Sequence, residues 1–259
     1  MRFVWLLVKL KLSRMMVFRL SFFGGFFADA LLFVVQILTF GLIFGQVDSI
    51  GGWGQGEMLV FIGTFSMING INMLVFFFGL NDIPDKIRRG DLDHYLTKPG
   101  SALLRLTFEN VNLGSAPLLL FSGGVIVYGV RVSGAEVTAA LVLGYVVLVL
   151  LMTLLYYDME LILRSLTFFF LGDGAISTLE GSLLDLNFRV PGVIFQGPFK
   201  FLFYFVLPYG IMATVPTQAL TGTLTLSGLV QALAVVVVFT AFALWFWKFG
   251  CRNYKSASS

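Results

Sequence analysis

The chain has 259 residues, of which 58% are hydrophobic and only 12% charged, with a mean hydropathy of +0.92. A soluble domain carries roughly 25% charged residues, so an ordinary globular enzyme is excluded. The net charge is +3 and the pI about 9.0, but the basic residues flank apolar runs, so they read as topology signals rather than a nucleic-acid surface.

Apolar runs of about 20 residues recur along the chain, which points to an all-α polytopic membrane protein. A transmembrane β-barrel would show short alternating segments instead. The expected organisation is one transmembrane domain over 1–259. Residues 1–25 alternate basic and apolar residues (Arg2, Lys9, Lys11, Arg14, Arg19), which predicts an amphipathic helix on the cytoplasmic face and no cleavable signal peptide. Gly24-Gly25 would then let the chain turn inward.

The first span is expected over 26–45, with Gly41 and Gly45 spaced for close helix approach. The second, 58–80, carries Ser66, Asn69 and Asn72 on one face. They are candidates for a translocation path or for interhelical hydrogen bonds. A charged loop follows over 81–107. Further spans are expected over 108–130 and 137–157. A polar break, "YYDMELILR", precedes a fifth over 165–183, in which Asp173 is a candidate for the translocation path. Asp29 and Glu180 fit interfacial pairing. The last span is expected over 229–249. The 29 phenylalanines mostly suit lipid-facing packing, though "FFF" at 76–78 and 168–170 could line an apolar passage. Trp53, Trp245 and Trp247 suit interfacial belts.

Between 199 and 220, Pro208 and Pro216 divide an apolar run into short pieces. If this run does not cross and the N-terminus is cytoplasmic, 14 of the 17 Lys and Arg residues lie inside. The external segment 184–220 therefore reads as containing a re-entrant helix pair. Six transmembrane helices result, with both termini cytoplasmic.

Within "NDIPDKIRRGDLDHYLTKPG", Gly90 can end one helical turn and Asp91 can cap the next. Leu92 and Leu96 lie four apart, with Tyr95 beside them, and Pro99-Gly100 closes the segment. Such an apolar face needs lipid headgroups or a partner protein to bury it.

The stretch "IRRGDLDHYLTKP" resembles the I-R-x-G-x-L-D-x-x-L-x-x-P pattern of ABC transporter permeases of the type-2 exporter class. "GWGQGEML" at 52–59, the proline-punctuated stretch from "LLDLNFRVPG" to "TVPTQALTG", and "FGCRNYKSAS" resemble further segments of that family in the same order. His94 departs from the family pattern and receives no role.

The resemblance implies a cytoplasmic coupling helix that docks on a separate ATPase, present in two copies. Ile87, Asp91, Leu92, Tyr95, Leu96 and Pro99 would shape it, and Arg88, Arg89 and Lys98 would supply charge. The family works as a dimer, of two identical chains or of paralogues, in a bacterial or archaeal cytoplasmic membrane. This chain has no G-x-x-x-x-G-K-[ST] loop. It is expected to hold no cofactor, with ATP and Mg bound by the partner. A single histidine excludes a bis-histidine haem site. A secondary transporter would show inverted repeats, and none is visible. A non-transporting scaffold would leave the loop pattern unexplained.

Overall fold

The computed structural model describes residues 19–170 and 174–254. The interfacial helix expected over 1–25 falls mostly outside them, as does Asp173. Helix α1 (Arg19–Phe44) runs straight through Gly24-Gly25, so the expected turn is absent there. Helix α2 (Gln55–Val75) ends at a break at Phe76. Four short helices form the charged segment: α3 (Phe77–Asn81), α4 (Ile83–Arg89), α5 (Asp93–Leu96) and α6 (Ala102–Glu109). Then come α7 (Ala116–Ser133), α8 (Ala139–Ser165) and α9 (Gly174–Arg189). A bent hairpin of α10 (Gly197–Phe201), α11 (Tyr209–Met212) and α12 (Thr214–Leu220) precedes α13 (Leu226–Asn253).

Among the described residues, four helical stretches are long and apolar enough to cross a membrane: Gln55–Val75, Leu113–Ser133, Ala139–Phe168 and Leu226–Asn253. The hairpin adds a fifth if its limbs count as one span. In α1 the described apolar stretch is Phe33–Phe44. Helix α9 has 16 residues. At 1.5 Å per residue it is about 24 Å long, short of a hydrocarbon core of about 30 Å.

The expected polar break at "YYDMELILR" is not a break. Helix α8 continues through it for 27 residues. Its polar side chains each find a partner inside the bundle, so the helix has no reason to leave. Asp158 Oδ2 accepts from Thr240 Oγ1 of α13 at 2.5 Å, and Glu160 Oε1 accepts from Asn72 Nδ2 of α2 at 2.9 Å. Arg164 pairs with Glu180 of α9 at 2.6 Å. Thr64 and Tyr145 add a 2.9 Å link between α2 and α8. Interhelical hydrogen bonds in membranes average about 0.6 kcal/mol each. They fix register more than they drive association.

Close packing of α2 on α7 comes from a stripe of glycines. Gly56, Gly63 and Gly70 recur every seven residues on α2. A Cβ on Gly63 would lie 2.6 Å from Ile126 Cγ1, one on Gly70 would lie 2.8 Å from Leu119 Cδ2, and one on Gly56 would collide with the Ser133 backbone. Gly41, by contrast, has nothing within 4 Å among the described residues, so its spacing with Gly45 makes no close approach to any of them.

The hairpin bends by 80° between its limbs. A widened turn over Leu202–Val206, in which Leu207 N donates to Leu202 O at 2.8 Å, leads into Pro208. A proline cannot supply the next ladder donor, so the helix stops and re-aims. Pro216 does not break α12, because it sits in the first turn, where no donor is needed. The second limb is mostly buried, and the first is mostly exposed apart from Phe203. Gly192 anchors the entry: its N–H donates to Thr214 Oγ1 at 2.9 Å, and a Cβ there would strike the Gly210 carbonyl.

Candidate functional site: the loop end of the bundle

The ends of α3, α8 and α13 meet the charged loop in one apolar cluster. Leu80, Ile83, Ile87 and Leu92 of the loop region pack with Leu103 and Leu106 of α6, Leu161 of α8, and Ala243 and Trp247 of α13. The loop is therefore a docked part of the fold rather than a solvated connection. Gly90 ends α4 in the left-handed region (φ 78°), as its position predicts. Asp91 does not cap α5: the cap position is Leu92, and no side-chain bond closes the turn. The two-faced amphipathic helix expected here is a single turn. Leu92 is 0% exposed and is covered by the chain itself, whereas Leu96 is 39% exposed. The expected face is thus split between a buried anchor, Leu92, and an exposed side chain, Leu96.

Polar contacts hold the loop's shape. Glu109 Oε2, at the end of α6, accepts from the Tyr95 hydroxyl at 2.7 Å and from Lys86 Nζ at 3.3 Å. Lys86 also stands 5.3 Å above the Tyr95 ring. Asn110 donates to Asp82, Arg105 to the Pro99 carbonyl, and Arg88 pairs with Asp85 at 2.5 Å. Burial first, then the bond to Glu109 and the charges of Glu109, Asp91 and Asp82, push the Tyr95 phenol well above its usual range. The hydroxyl stays a neutral donor. Tyr254, in the segment after α13, is also raised, by burial and then by Asp93 and Asp91.

Between these groups lies a cleft of about 670 Å³ lined by Lys86, Asp91, His94, Tyr95, Lys98, Pro99, Arg105 and Glu109. Asp91, His94, Lys98 and Pro99 of this lining are exposed, as are Arg88, Arg89 and Leu96 outside it, while Ile87 is buried. Of the sequence-expected loop residues the cleft brings together Asp91, Tyr95, Lys98 and Pro99; Ile87 and Leu92 are buried roots, Tyr95 is half-buried, and Arg88, Arg89 and Leu96 lie exposed outside the lining. Glu109 joins them; its place at the end of α6, 14 residues beyond Tyr95, gave no spacing signal.

The proposed path residues fare differently. Ser66 and Asn72 are buried inside this one chain, and Asn69 is half-buried. Asn72 serves an interhelical bond, to Glu160. Sequence reading did not single out Glu160 or Arg164, because the stretch that carries them read as a polar connection. Trp53 and Trp247 are core residues at 5% exposure and only Trp245, at 57%, faces outward, so the expected aromatic belt reduces to Trp245. Among the described residues no group of His, Cys, Asp and Glu is arranged to hold a metal ion.

The long apolar helices and the docked, charged loop at one end of the bundle define the class as a multi-pass helical membrane protein. Residues 30–258 match the ABC-2 family transporter protein. The match spans nearly the whole chain, and the chain belongs to that family. Comparison with curated proteins and with solved structures returns no match.

Proposed function

We propose that this chain is the permease subunit of an ATP-driven exporter and that the 81–107 loop receives the motion of a separate ATPase. The observation that carries this reading is the loop itself. It is rooted by Leu92 and Ile87 in the same cluster as Leu161 and Trp247, yet offers Leu96, Arg89 and Lys98 outward. A push on the exposed residues would reach α8 and α13 without being lost in a flexible linker. Family membership implies an ABC ATPase partner. On this reading the partner binds ATP and Mg in two copies, and a second permease, identical or paralogous, completes a dimer.

The reading keeps six crossings, with α1 and a fifth span that begins in the segment before α9 joining the four long helices, the hairpin re-entering from outside, and both termini in the cytoplasm of a bacterium or archaeon. Alternating access at the dimer interface would move a hydrophobic or amphipathic cargo. Asp173 and the Asn69 face remain candidates for its path.

The test separates root from contact. Leu96→Asp should insert normally and fail to co-purify with the ATPase in mild detergent. Leu92→Asp should lose stability first, because it buries an unpaired charge. Retained ATPase binding by Leu96→Asp would overturn the docking role.

A further inference from the structure

The buried cluster on α8 holds more acid than it can satisfy as ionised groups. Glu160 and Glu180 are 1% and 4% exposed, and among the described residues one guanidinium, Arg164, faces them. Arg164 bonds Glu180 directly, at 2.6 Å. Glu160 has one hydrogen bond, from the neutral amide of Asn72, and its Oε2 has no partner. Tyr209, at the tip of the hairpin, lies within electrostatic reach of both carboxylates, and its buried hydroxyl is likewise without a partner. The other groups facing Glu160 are Tyr156 and Tyr157 of its own helix. They bring no positive charge.

An ionised Glu160 would thus place a second buried negative charge beside one cation, with half of its carboxylate unsolvated. Burying such a charge is costly. A proton removes that charge. Inside membranes, ionisable groups of this kind mark proton and ion pathways. We propose that Glu160 is a proton-binding site, loaded while the hairpin tip carrying Tyr209 is seated against it. Glu180 stays ionised against Arg164. Withdrawal of the tip would admit water to Glu160 and release the proton, so hairpin movement and proton release are linked. This site does not depend on the identity of any ATPase and can be read on the chain alone.

The experiment is infrared spectroscopy of the full chain in lipid nanodiscs at neutral pH, with glutamate side-chain carboxyls selectively 13C-labelled to separate them from Asp158. The expected result is a protonated-carboxyl C=O band that disappears in Glu160→Gln and persists in Glu180→Gln. Absence of the band in the wild type, or its loss in Glu180→Gln instead, would overturn the proposal. Should Glu160→Gln not fold, Asn72→Ala serves. It removes the one donor to Glu160, so the band must shift; an unshifted band would also overturn the assignment.

Discussion

Leu92 and Leu96 lie four residues apart in sequence, yet they do opposite work. Leu92 holds the loop to the bundle and Leu96 is free to meet something else. Glu109 gathers Tyr95 and Lys86 onto one carboxylate oxygen. Tyr95→Phe should therefore cost about 1 kcal/mol, measured by thermal or denaturant unfolding in detergent, since Lys86 still satisfies Glu109. The Arg164–Glu180 pair is the more sensitive contact. Removing one partner by Arg164→Met should destabilise by about 3–5 kcal/mol, because a buried charge is left alone. The double replacement Arg164→Met with Glu180→Leu should recover part of that loss in the same unfolding assay. Equal loss in the single and double variants would mean that the pair is not the cause.

At the scale of elements, the contact of α2 with α7 depends on having no side chain at three positions. Gly63→Leu should weaken it by about 1–3 kcal/mol through overpacking, read as a lowered unfolding temperature, whereas Gly41→Leu should change little. This contrast shows what the sequence made legible. Two glycines four apart in α1 looked like a packing motif, and glycines seven apart in α2 carry the packing. Spacing alone could not tell them apart, because each needs a facing helix. The end of α4 at Gly90 and the break at Pro208 were readable, since both follow from backbone chemistry of the residue itself. The continuation of α8 through Asp158, Glu160 and Arg164 was not. Polar residues end a membrane helix only when they lack partners, and here the partners come from α2, α9 and α13. Those pairings span 16 to 88 residues of sequence, beyond any local pattern.

For the whole molecule, α8 is the common element. It bonds α2 near both ends, meets α13 at Thr240, pairs with α9 through Arg164, and packs beside the hairpin. Its loop end also enters the cluster that roots the charged segment. One rigid helix therefore connects the exposed loop to the hairpin tip, a physical route by which force at Leu96 could reach Tyr209. The family and the membrane class were legible from composition and from the resemblance. The division of the loop's residues into buried and exposed was hidden, because it is set by what α6, α8 and α13 cover.

On the proposed function, the exposed side of the loop meets an ATPase. This contact is tested most directly by placing a photoreactive amino acid at Leu96 or Lys98, and at Leu120 as an exposed control on α7, in cells that express the native partner. Crosslinks to a soluble ATPase are expected from positions 96 and 98 and none from position 120. An ATPase that co-purifies with the chain but crosslinks from neither 96 nor 98, or no associated ATPase at all, would contradict it.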